Sequence, residues 1–293
     1  MNPIQARFLA DEATAKRYAR LIEPAFEDDG FPISCFATAE SGPWAVEILF
    51  FDLDRATAES RLRAILADVF DSLSIEIEDL PDRNWVAVSL AGLAPVSAGR
   101  FLVHGSHDRA QRRGFGHNIE IDANLAFGTG HHGSTRGCLL ALDTVLKSRS
   151  PQRMLDLGCG SGVLAFACAL ATRRSVLASD IDPVAAITAR QNARINGVAS
   201  RVDIIAADGF RHPAFAGAAP FDLVLANIIA RPLTALAPDL ARHLAPSATL
   251  ILSGLRPEDG RRVLAAYRPY GLVLGWRLLD AGWLTLVLER HSR

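Results

Sequence analysis

Residues 154–164, MLDLGCGSGVL, constrain the fold of this chain more than any other stretch, because a short apolar strand runs there into three alternating glycines. Gly158 and Gly160 have no Cβ, so the backbone of a turn built on them can lie against a ligand. The apolar run Val163–Leu170 then predicts a helix that aims its free N–H groups at that ligand. The stretch therefore predicts a strand, a tight turn and a helix around a ligand site, with a sharp turn that binds nothing as the alternative.

The spacing of the glycines distinguishes between two kinds of ligand. The dinucleotide fingerprint G-x-G-x-x-G would place its third glycine at position 163, where this chain has Val163. Asp156 also places a carboxylate inside the strand, just before the turn, where we expect it to contact the cofactor. This combination favours S-adenosylmethionine (SAM) over NAD as the cofactor, and it disfavours a dehydrogenase.

The composition excludes several classes of protein. A length of 293 residues allows one large domain or two ordinary ones, and a net charge of −1 gives no global basic field for nucleic acid or a membrane. No apolar run approaches the ~18 residues of a membrane span, and the start of the chain lacks the pattern of a signal peptide. The four cysteines show no C-x-x-C spacing and are predicted to be buried, reduced thiols. We therefore expect a cytoplasmic protein with no membrane contact and no direct need for nucleic acid.

The first 80 residues predict a small domain of their own. Four short strands and two amphipathic helices follow in the order β-α-β-β-α-β, which is a split βαβ unit. No cluster of catalytic residue types occurs there, so we expect the domain of residues 1–80 to bind a partner through a sheet face or edge. Residues 81–117 are predicted to be a connector that contains a short strand at Phe101–His104, and a further short strand is predicted at Ile119–Ile121. The basic stretch Asp108–Gly116 is predicted to form an exposed loop in the connector.

Residues 118–293 show a different pattern, in which strands and helices alternate. Alternation at these lengths predicts an open, mostly parallel sheet with helices on both faces. The last two strands are separated only by residues 280–282, a loop too short for a crossover helix, so they must be antiparallel. A seven-stranded α/β sheet closed by an antiparallel hairpin is typical of SAM-dependent methyltransferases.

The ends of the parallel strands carry the polar residues that such a site needs. Asp180 follows the second strand, 22 positions past Gly158, where a carboxylate can accept hydrogen bonds from both ribose hydroxyls. Asp182 is better placed to cap the next helix, with Pro183 at its first position. Asp208 follows the third strand and could reach the adenine amino group, although a solvated turn aspartate is an equally simple interpretation.

Asn227 follows the fourth strand, and the segment around it indicates that an amine accepts the methyl group. The segment Ala226–Ala230, ANIIA, resembles the Asn/Asp-Pro-Pro-aromatic motif of amino-group methyltransferases, with isoleucines in place of both prolines. Methyl transfer from a sulfonium is an in-line displacement by a neutral amine, so catalysis is mostly orientation of the amine lone pair. The Asn227 side-chain oxygen can accept the N–H bonds of the amine and aim that lone pair. The alternative is an asparagine that only ends a strand.

The segment Phe127–Thr135, FGTGHHGST, points to one family. It closely resembles the Phe-Gly-Thr-Gly-x-His-x-Thr-Thr loop that precedes the glycine turn in the bacterial ribosomal protein L11 methyltransferases. The resemblance continues through DLGCGSGVLA, ASDIDPVA, LANIIARPL and ILSGL, so it covers roughly residues 80 to 290. The first domain resembles the family only in the order of its elements.

This resemblance implies a fold, a substrate and a set of contacts. The fold is a Rossmann-like SAM-dependent methyltransferase domain over residues 118–293, preceded by a ferredoxin-like substrate-recognition domain. The substrate is ribosomal protein L11, methylated on lysine side chains and, as a further candidate, on its N-terminal amine. In the family, the loop that begins at Phe127 closes over SAM. The family positions that contact SAM match Thr135, Gly158, Asp180 and Asn227.

The loop departs from the family motif at Ser134 and contains two adjacent histidines. Ser134 replaces a threonine of the family motif but keeps the hydroxyl, and the pair His131-His132 lacks a third ligand at a spacing that a metal could use. We therefore predict no metal.

Two other functions are possible for this sequence. A lysine methyltransferase for an electron-transfer flavoprotein subunit is one alternative, disfavoured by the extra N-terminal domain. A SAM-binding module without catalysis is the other, disfavoured by the intact Asn227 motif.

Overall fold

A computed structural model of the chain forms two compact units, Met1–Arg83 and Asn84–Arg293, and each is described by itself. Among the residues that the structure describes, no helix is long and apolar enough to cross a bilayer. The predicted loop residue Phe127 and the pair His131-His132 lie outside the described residues. The structure describes residues 3–26, 29, 31–38, 42–51, 53–79, 95–121 and 133–290.

The first unit is an antiparallel sheet with two helices. The strands are β1 (Ile4–Ala10), β2 (Ile33–Ala37), β3 (Trp44–Phe50) and β4 (Glu76–Asp79), and the helices are α1 (Glu12–Ala25) and α2 (Arg55–Leu66). The sheet order is β2-β3-β1-β4, and every neighbouring pair is antiparallel. The predicted order β-α-β-β-α-β is present, in a ferredoxin-like arrangement.

Capping residues fix where the two helices of this unit begin. The Asp11 carboxylate accepts a hydrogen bond from the Thr14 N–H at 3.0 Å, and Asp54 does the same for Thr57 at 2.9 Å. The helix α1 continues to Ala25, so Pro24 lies in its last turn. Buried apolar residues of both helices pack on one face of the sheet.

Three short strands open the described part of the second unit. They are β5 (Val96–Ala98), β6 (Phe101–His104) and β7 (His117–Glu120), with β5-β6 antiparallel and β6-β7 parallel. Their buried side chains belong to the same hydrophobic core as the helices on the main sheet. The sequence predicts β6 over these same residues, and the predicted strand Ile119–Ile121 overlaps β7. Strand β5 was not predicted, because a run of three residues is too short to show a strand pattern.

The second unit is built on a seven-stranded sheet of order β10-β9-β8-β11-β12-β14-β13. All pairs are parallel except those that involve β14, and only Ala281 and Gly282, both at positive φ, separate β13 from β14. This confirms the predicted mostly parallel sheet with an antiparallel terminal hairpin. The strands are β8 (Met154–Leu157), β9 (Val176–Asp180), β10 (Val202–Ala206), β11 (Phe221–Asn227), β12 (Leu244–Leu255), β13 (Leu272–Asp280) and β14 (Trp283–Arg290).

Helices cover both faces of this sheet. Along β11, Leu223 and Leu225 join one core cluster, while Val224 and Ala226 join another, so the strand is buried on both sides. Two short helices lie between β11 and β12, and Leu244 at the start of β12 pairs with Phe221 in the sheet. The helices are α3 (Gly133–Ser148), α4 (Val163–Thr172), α5 (Pro183–Ile195), α6 (Pro213–Ala218), α7 (Ala230–Ala235), α8 (Ala237–Arg242) and α9 (Gly260–Tyr267).

Gly162→Ala is expected to lower the free energy of unfolding by about 2–4 kcal/mol. Gly162 caps α4 at a φ of +91°, and a Cβ there would overlap the ring of Phe166. Gly197→Ala is the matched control, because Gly197 has a φ of +66° but open space around it. It should cost only the backbone strain, about 1 kcal/mol. Urea unfolding measures both variants, and equal losses would contradict the packing argument.

Candidate active site

The glycine turn after β8 is tied to the end of β9. The N–H groups of Gly158 and Cys159 both donate to the Ser179 carbonyl, at 2.8 and 2.9 Å. Gly158 and Gly160 have φ values of +73° and +52°, a region that favours glycine. The tight strand–turn–helix arrangement predicted for this stretch is therefore present.

Asp180 holds the turn from the other side. Its Oδ2 accepts a hydrogen bond from the Gly160 N–H at 2.7 Å, and its Oδ1 accepts one from the Asp182 N–H at 3.0 Å. The residue is half-buried, and each carboxylate oxygen can accept a further hydrogen bond. Asp180 thus has both the position and the spare acceptor capacity expected of a ribose ligand.

Asp182 has the capping role predicted for it. Its Oδ1 accepts a hydrogen bond from the Val184 N–H at 2.8 Å, and Pro183 is the first residue of α5. The two aspartates of the sequence Asp180-Ile181-Asp182 therefore have different tasks. Asp182 caps a helix, whereas Asp180 binds the glycine turn and accepts a backbone N–H on each of its carboxylate oxygens.

Asp156 lies beneath the turn and not in the ligand cleft. Its side chain is fully buried, and its Oδ2 accepts a hydrogen bond from the Ala165 N–H in α4 at 2.9 Å. Oδ1 has no partner among the described residues. Burial, and secondarily the nearby Asp180, raise the pKa of the Asp156 carboxyl to about 7. This placement differs from the predicted cofactor contact and indicates a residue that joins the strand to the helix behind the turn.

Asp156→Asn tests the raised pKa of that carboxyl. The pKa of the Asp156 carboxyl is higher in the folded chain than its unfolded value of about 3.9. The protonated carboxyl therefore contributes its full stabilisation below about pH 4, and this contribution is lost as the pH rises through about 7. Relative to the wild type, the variant should gain about 2–3 kcal/mol in free energy of unfolding between pH 5 and pH 8. Asp203→Asn, at an exposed position of β10, is the control. A pH-independent difference for Asp156→Asn would refute the buried-carboxyl account.

Asp208 is exposed at the end of β10. Its carboxylate forms an ion pair with Arg211 at 2.7 Å, and its side chain is 63% exposed. The structure therefore shows the arrangement of a solvated turn aspartate. The contact between Asp208 and adenine stays a prediction.

Asn227 and Thr135, 92 residues apart in sequence, meet at the carboxyl edge of the sheet. The Asn227 Nδ2 donates to the Thr135 Oγ1 at 3.1 Å. Thr135 is buried in the first turn of α3, whereas Asn227 is half-buried. Since the amide nitrogen is held by Thr135, the amide oxygen is left to accept other hydrogen bonds. The end of the FGTGHHGST segment and the predicted acceptor motif therefore form one site.

Ser253 and Thr285 are site residues that the sequence did not reveal. Their hydroxyl oxygens lie 2.9 Å apart, and the Ser253 hydroxyl also donates to the Ser134 carbonyl at 3.2 Å. Both side chains are buried, so this polar link fixes the start of α3 against β12 and β14. The signal in the sequence was weak, because serine and threonine in apolar strands usually satisfy the backbone nearby.

Exposed isoleucines flank the two polar site residues. Ile181 is 71% exposed directly after Asp180, and Ile229 is 52% exposed two residues after Asn227. Such exposure at the edge of a ligand cleft offers apolar surface to a bound molecule. The described residues contain no group of three or more His, Cys, Asp or Glu that could hold a metal.

The strand order, the glycine turn after β8, the carboxylate after β9 and the asparagine after β11 define a SAM-dependent methyltransferase. The chain belongs to one family within that class, because the family model described as Ribosomal protein L11 methyltransferase (PrmA) matches residues 39–291. This confirms the family predicted from the Phe127–Thr135 segment.

Relatives match the chain over almost its whole length. A ribosomal protein L11 methyltransferase from Rhodopseudomonas palustris is 46% identical over 96% of this chain and 95% of the relative. One from Mesorhizobium japonicum is 45% identical over 99% of this chain and the whole relative. The crystal structure of a ribosomal protein L11 methylase from Lactobacillus delbrueckii subsp. bulgaricus is 24% identical, with a TM-score of 0.61 over 68% of this chain and all of that chain. This last likeness supports the fold.

Proposed function

We propose that this chain transfers methyl groups from SAM to amino groups of ribosomal protein L11. Lysine side chains are the expected acceptors, and the N-terminal amine is a further candidate. The observation that carries the proposal is the hydrogen bond between Asn227 and Thr135, which joins the acceptor motif to the end of the loop motif. Family membership supplies the protein that bears the amine.

The residues around the glycine turn fit SAM. We assign Asp180 to the ribose, because both of its oxygens keep acceptor capacity at the mouth of the turn. Gly158 and Gly160 adopt the positive φ values of a tight turn, which suits a methionine chain bound closely against the turn backbone. Phe127 and Thr135 would contact the same cofactor from the preceding loop and helix. When bound, SAM supplies an electrophilic methyl group on its sulfonium.

Asn227 is assigned to orientation of the amine. Thr135 holds its amide nitrogen, so the amide oxygen can accept an N–H bond from the incoming amine. A lysine amine has a reference pKa near ~10.4, and removal from water favours its neutral, nucleophilic form. The chain then needs no covalent intermediate, since a placed lone pair attacks the methyl directly.

We assign substrate recognition to the first domain, residues 1–80, and catalysis to residues 118–293. The support is where the proposed catalytic residues lie and how the first unit is folded. The residues of the proposed reaction all lie in the second unit, and the first is a complete small fold with its own core. A cytoplasmic location is part of the same proposal, because ribosomal proteins are made there.

Purified protein, labelled SAM and purified L11 test the proposed function. We expect label in L11, with mass spectrometry locating it on lysines or the N-terminal amine. An electron-transfer flavoprotein subunit is the comparison substrate. Label in that subunit alone would replace the proposed substrate. No transfer to either protein, with SAM bound, would leave a SAM-binding module and overturn the enzyme assignment.

A further inference from the structure

Three polar side chains lie side by side on neighbouring strands of the main sheet. Asn227 on β11 is in register with Ser253 on β12, and the Ser253 hydroxyl oxygen lies 2.9 Å from that of Thr285 on β14. Residues two positions away on the same strands belong to the core cluster that α3 helps to form, so these polar side chains point to the α3 face of the sheet. Those core residues are Leu225, Ile251 and Val287. We call Asn227, Ser253 and Thr285 the polar row.

Every member of the polar row contacts the first turn of α3. The asparagine does so through its hydrogen bond to the Thr135 hydroxyl. The Ser253 hydroxyl donates to the Ser134 carbonyl at 3.2 Å. Thr285 lies directly against Gly137, where a Cβ would overlap the threonine hydroxyl. The helix therefore meets three strands at the level of the acceptor asparagine.

The hydrogen bonds of the row run in one direction. Ser253 has a single hydroxyl hydrogen, and the carbonyl oxygens within its reach are those of Ser134 at 3.2 Å and Leu284 at 3.4 Å. With that hydrogen donated to a carbonyl, the Thr285 hydroxyl donates to the Ser253 oxygen. Thr285 thus holds Ser253, and Ser253 holds the start of α3. Both side chains are buried.

The terminal hairpin also holds the outer side of this helical turn. Arg136 forms an ion pair with Asp280 at 2.6 Å. A Cβ on Gly133 would lie 2.7 Å from the Asp280 carbonyl oxygen, so the backbones of helix and hairpin approach closely there. Contacts at positions 133, 136 and 137 therefore fix the first turn of α3 on the hairpin.

We propose that Ser253 and Thr285 are positioning residues for methyl transfer, which act on Asn227 through the first turn of α3. The inference rests on the proposed function, in which the Asn227 amide oxygen accepts an N–H bond from the amine. A displaced Thr135 hydroxyl would release the amide nitrogen, and the amide could then turn its N–H groups toward the amine. Those donors would bind the lone pair that must attack the methyl group. A small displacement is costly when the rate depends on alignment.

Thr285→Val keeps the volume of the side chain and removes its hydroxyl. We expect it to lower the single-turnover rate of L11 methylation by about tenfold, in the full-length enzyme at saturating SAM and L11. The steady-state KM for L11 and the Kd for SAM should stay within about threefold, because the hydroxyl contacts neither ligand in the proposed site. Ser253→Ala removes the other hydroxyl of the link and should also lower the rate by about tenfold.

Two further variants separate the hydroxyl from packing. Thr285→Ser keeps the hydroxyl and loses a buried methyl group, so it should melt at a lower temperature and yet recover the rate to within about threefold of the wild type. Thr249→Val is the matched control, because the Thr249 hydroxyl is also buried in β12 but has no hydrogen-bond partner among the described residues. It should leave the rate within about twofold.

A double-mutant cycle tests whether Thr285 acts through Asn227. In an Asn227→Ala background, Thr285→Val should cost less than about twofold in rate, because the amide to be oriented is absent. A tenfold loss in that background would overturn the proposal. A wild-type rate for Thr285→Val, or equal losses for the valine and serine variants, would overturn it as well. Failure of the wild type to methylate L11 would reject the proposed function instead, so the two failures are distinct.

Discussion

Asn227→Ala is expected to lower kcat by about 10²–10³-fold while the Kd for SAM changes less than about threefold. The reason is that the Asn227 amide oxygen orients the amine, whereas the contacts assigned to SAM lie mainly on the glycine turn and Asp180. Single-turnover methyl transfer measures the chemical step, and calorimetric titration with SAM measures binding.

Asn227→Asp is the matched control for this loss. It keeps an acceptor oxygen but replaces the nitrogen that donates to the Thr135 hydroxyl, so the loss of kcat should be smaller than for alanine. If alanine and wild type turn over equally fast, Asn227 does not orient the amine. If alanine abolishes SAM binding, the residue belongs to the cofactor site alone.

Asp180→Ala is expected to raise the Kd for SAM by about 100-fold. Two hydrogen bonds from ribose hydroxyls to a carboxylate contribute about 1.5–3 kcal/mol each, of which part is recovered by water. The substitution also leaves the Gly160 N–H without its acceptor and so loosens the glycine turn. Calorimetry with SAM and with its demethylated product measures the loss for both ligands.

Asp208→Ala is the matched aspartate control. Its carboxylate is paired with Arg211 at an exposed position, so we expect the Kd for SAM to change less than about threefold. A loss as large as that of Asp180→Ala would restore the predicted contact between Asp208 and adenine. A wild-type Kd for Asp180→Ala would contradict the ribose assignment.

The local parts of the second unit could be predicted because short-range physics decides them. The glycines at 158 and 160 permit the positive φ values of the turn, and Pro183 after Asp182 fixes the start of α5. The two-residue link between β13 and β14 leaves no other pairing than antiparallel. In each case the decisive residues are neighbours in the sequence, so no knowledge of the tertiary structure was needed.

The burial of individual side chains and the contacts between residues far apart in the sequence could not be predicted in this way. The period of a strand that is buried on both faces does not say which side a carboxylate faces, so Asp156 looked like a cofactor ligand although it lies under the turn. Strand β5 was missed because it is three residues long and gains its burial from helices elsewhere. The contact between Asn227 and Thr135 joins residues that only the folded sheet brings together.

Ile228 occupies space that two glycines leave free. A Cβ on Gly158 would overlap the Ile228 side chain, and one on Gly254 would lie 2.6 Å from the Ile228 carbonyl oxygen. The residue after the acceptor asparagine is thus wedged between the cofactor turn and the end of β12. These positions share a single volume, so the chain can change one of them only by changing another. A side chain at position 158 or 254 would therefore displace Ile228, and with it the backbone next to Asn227.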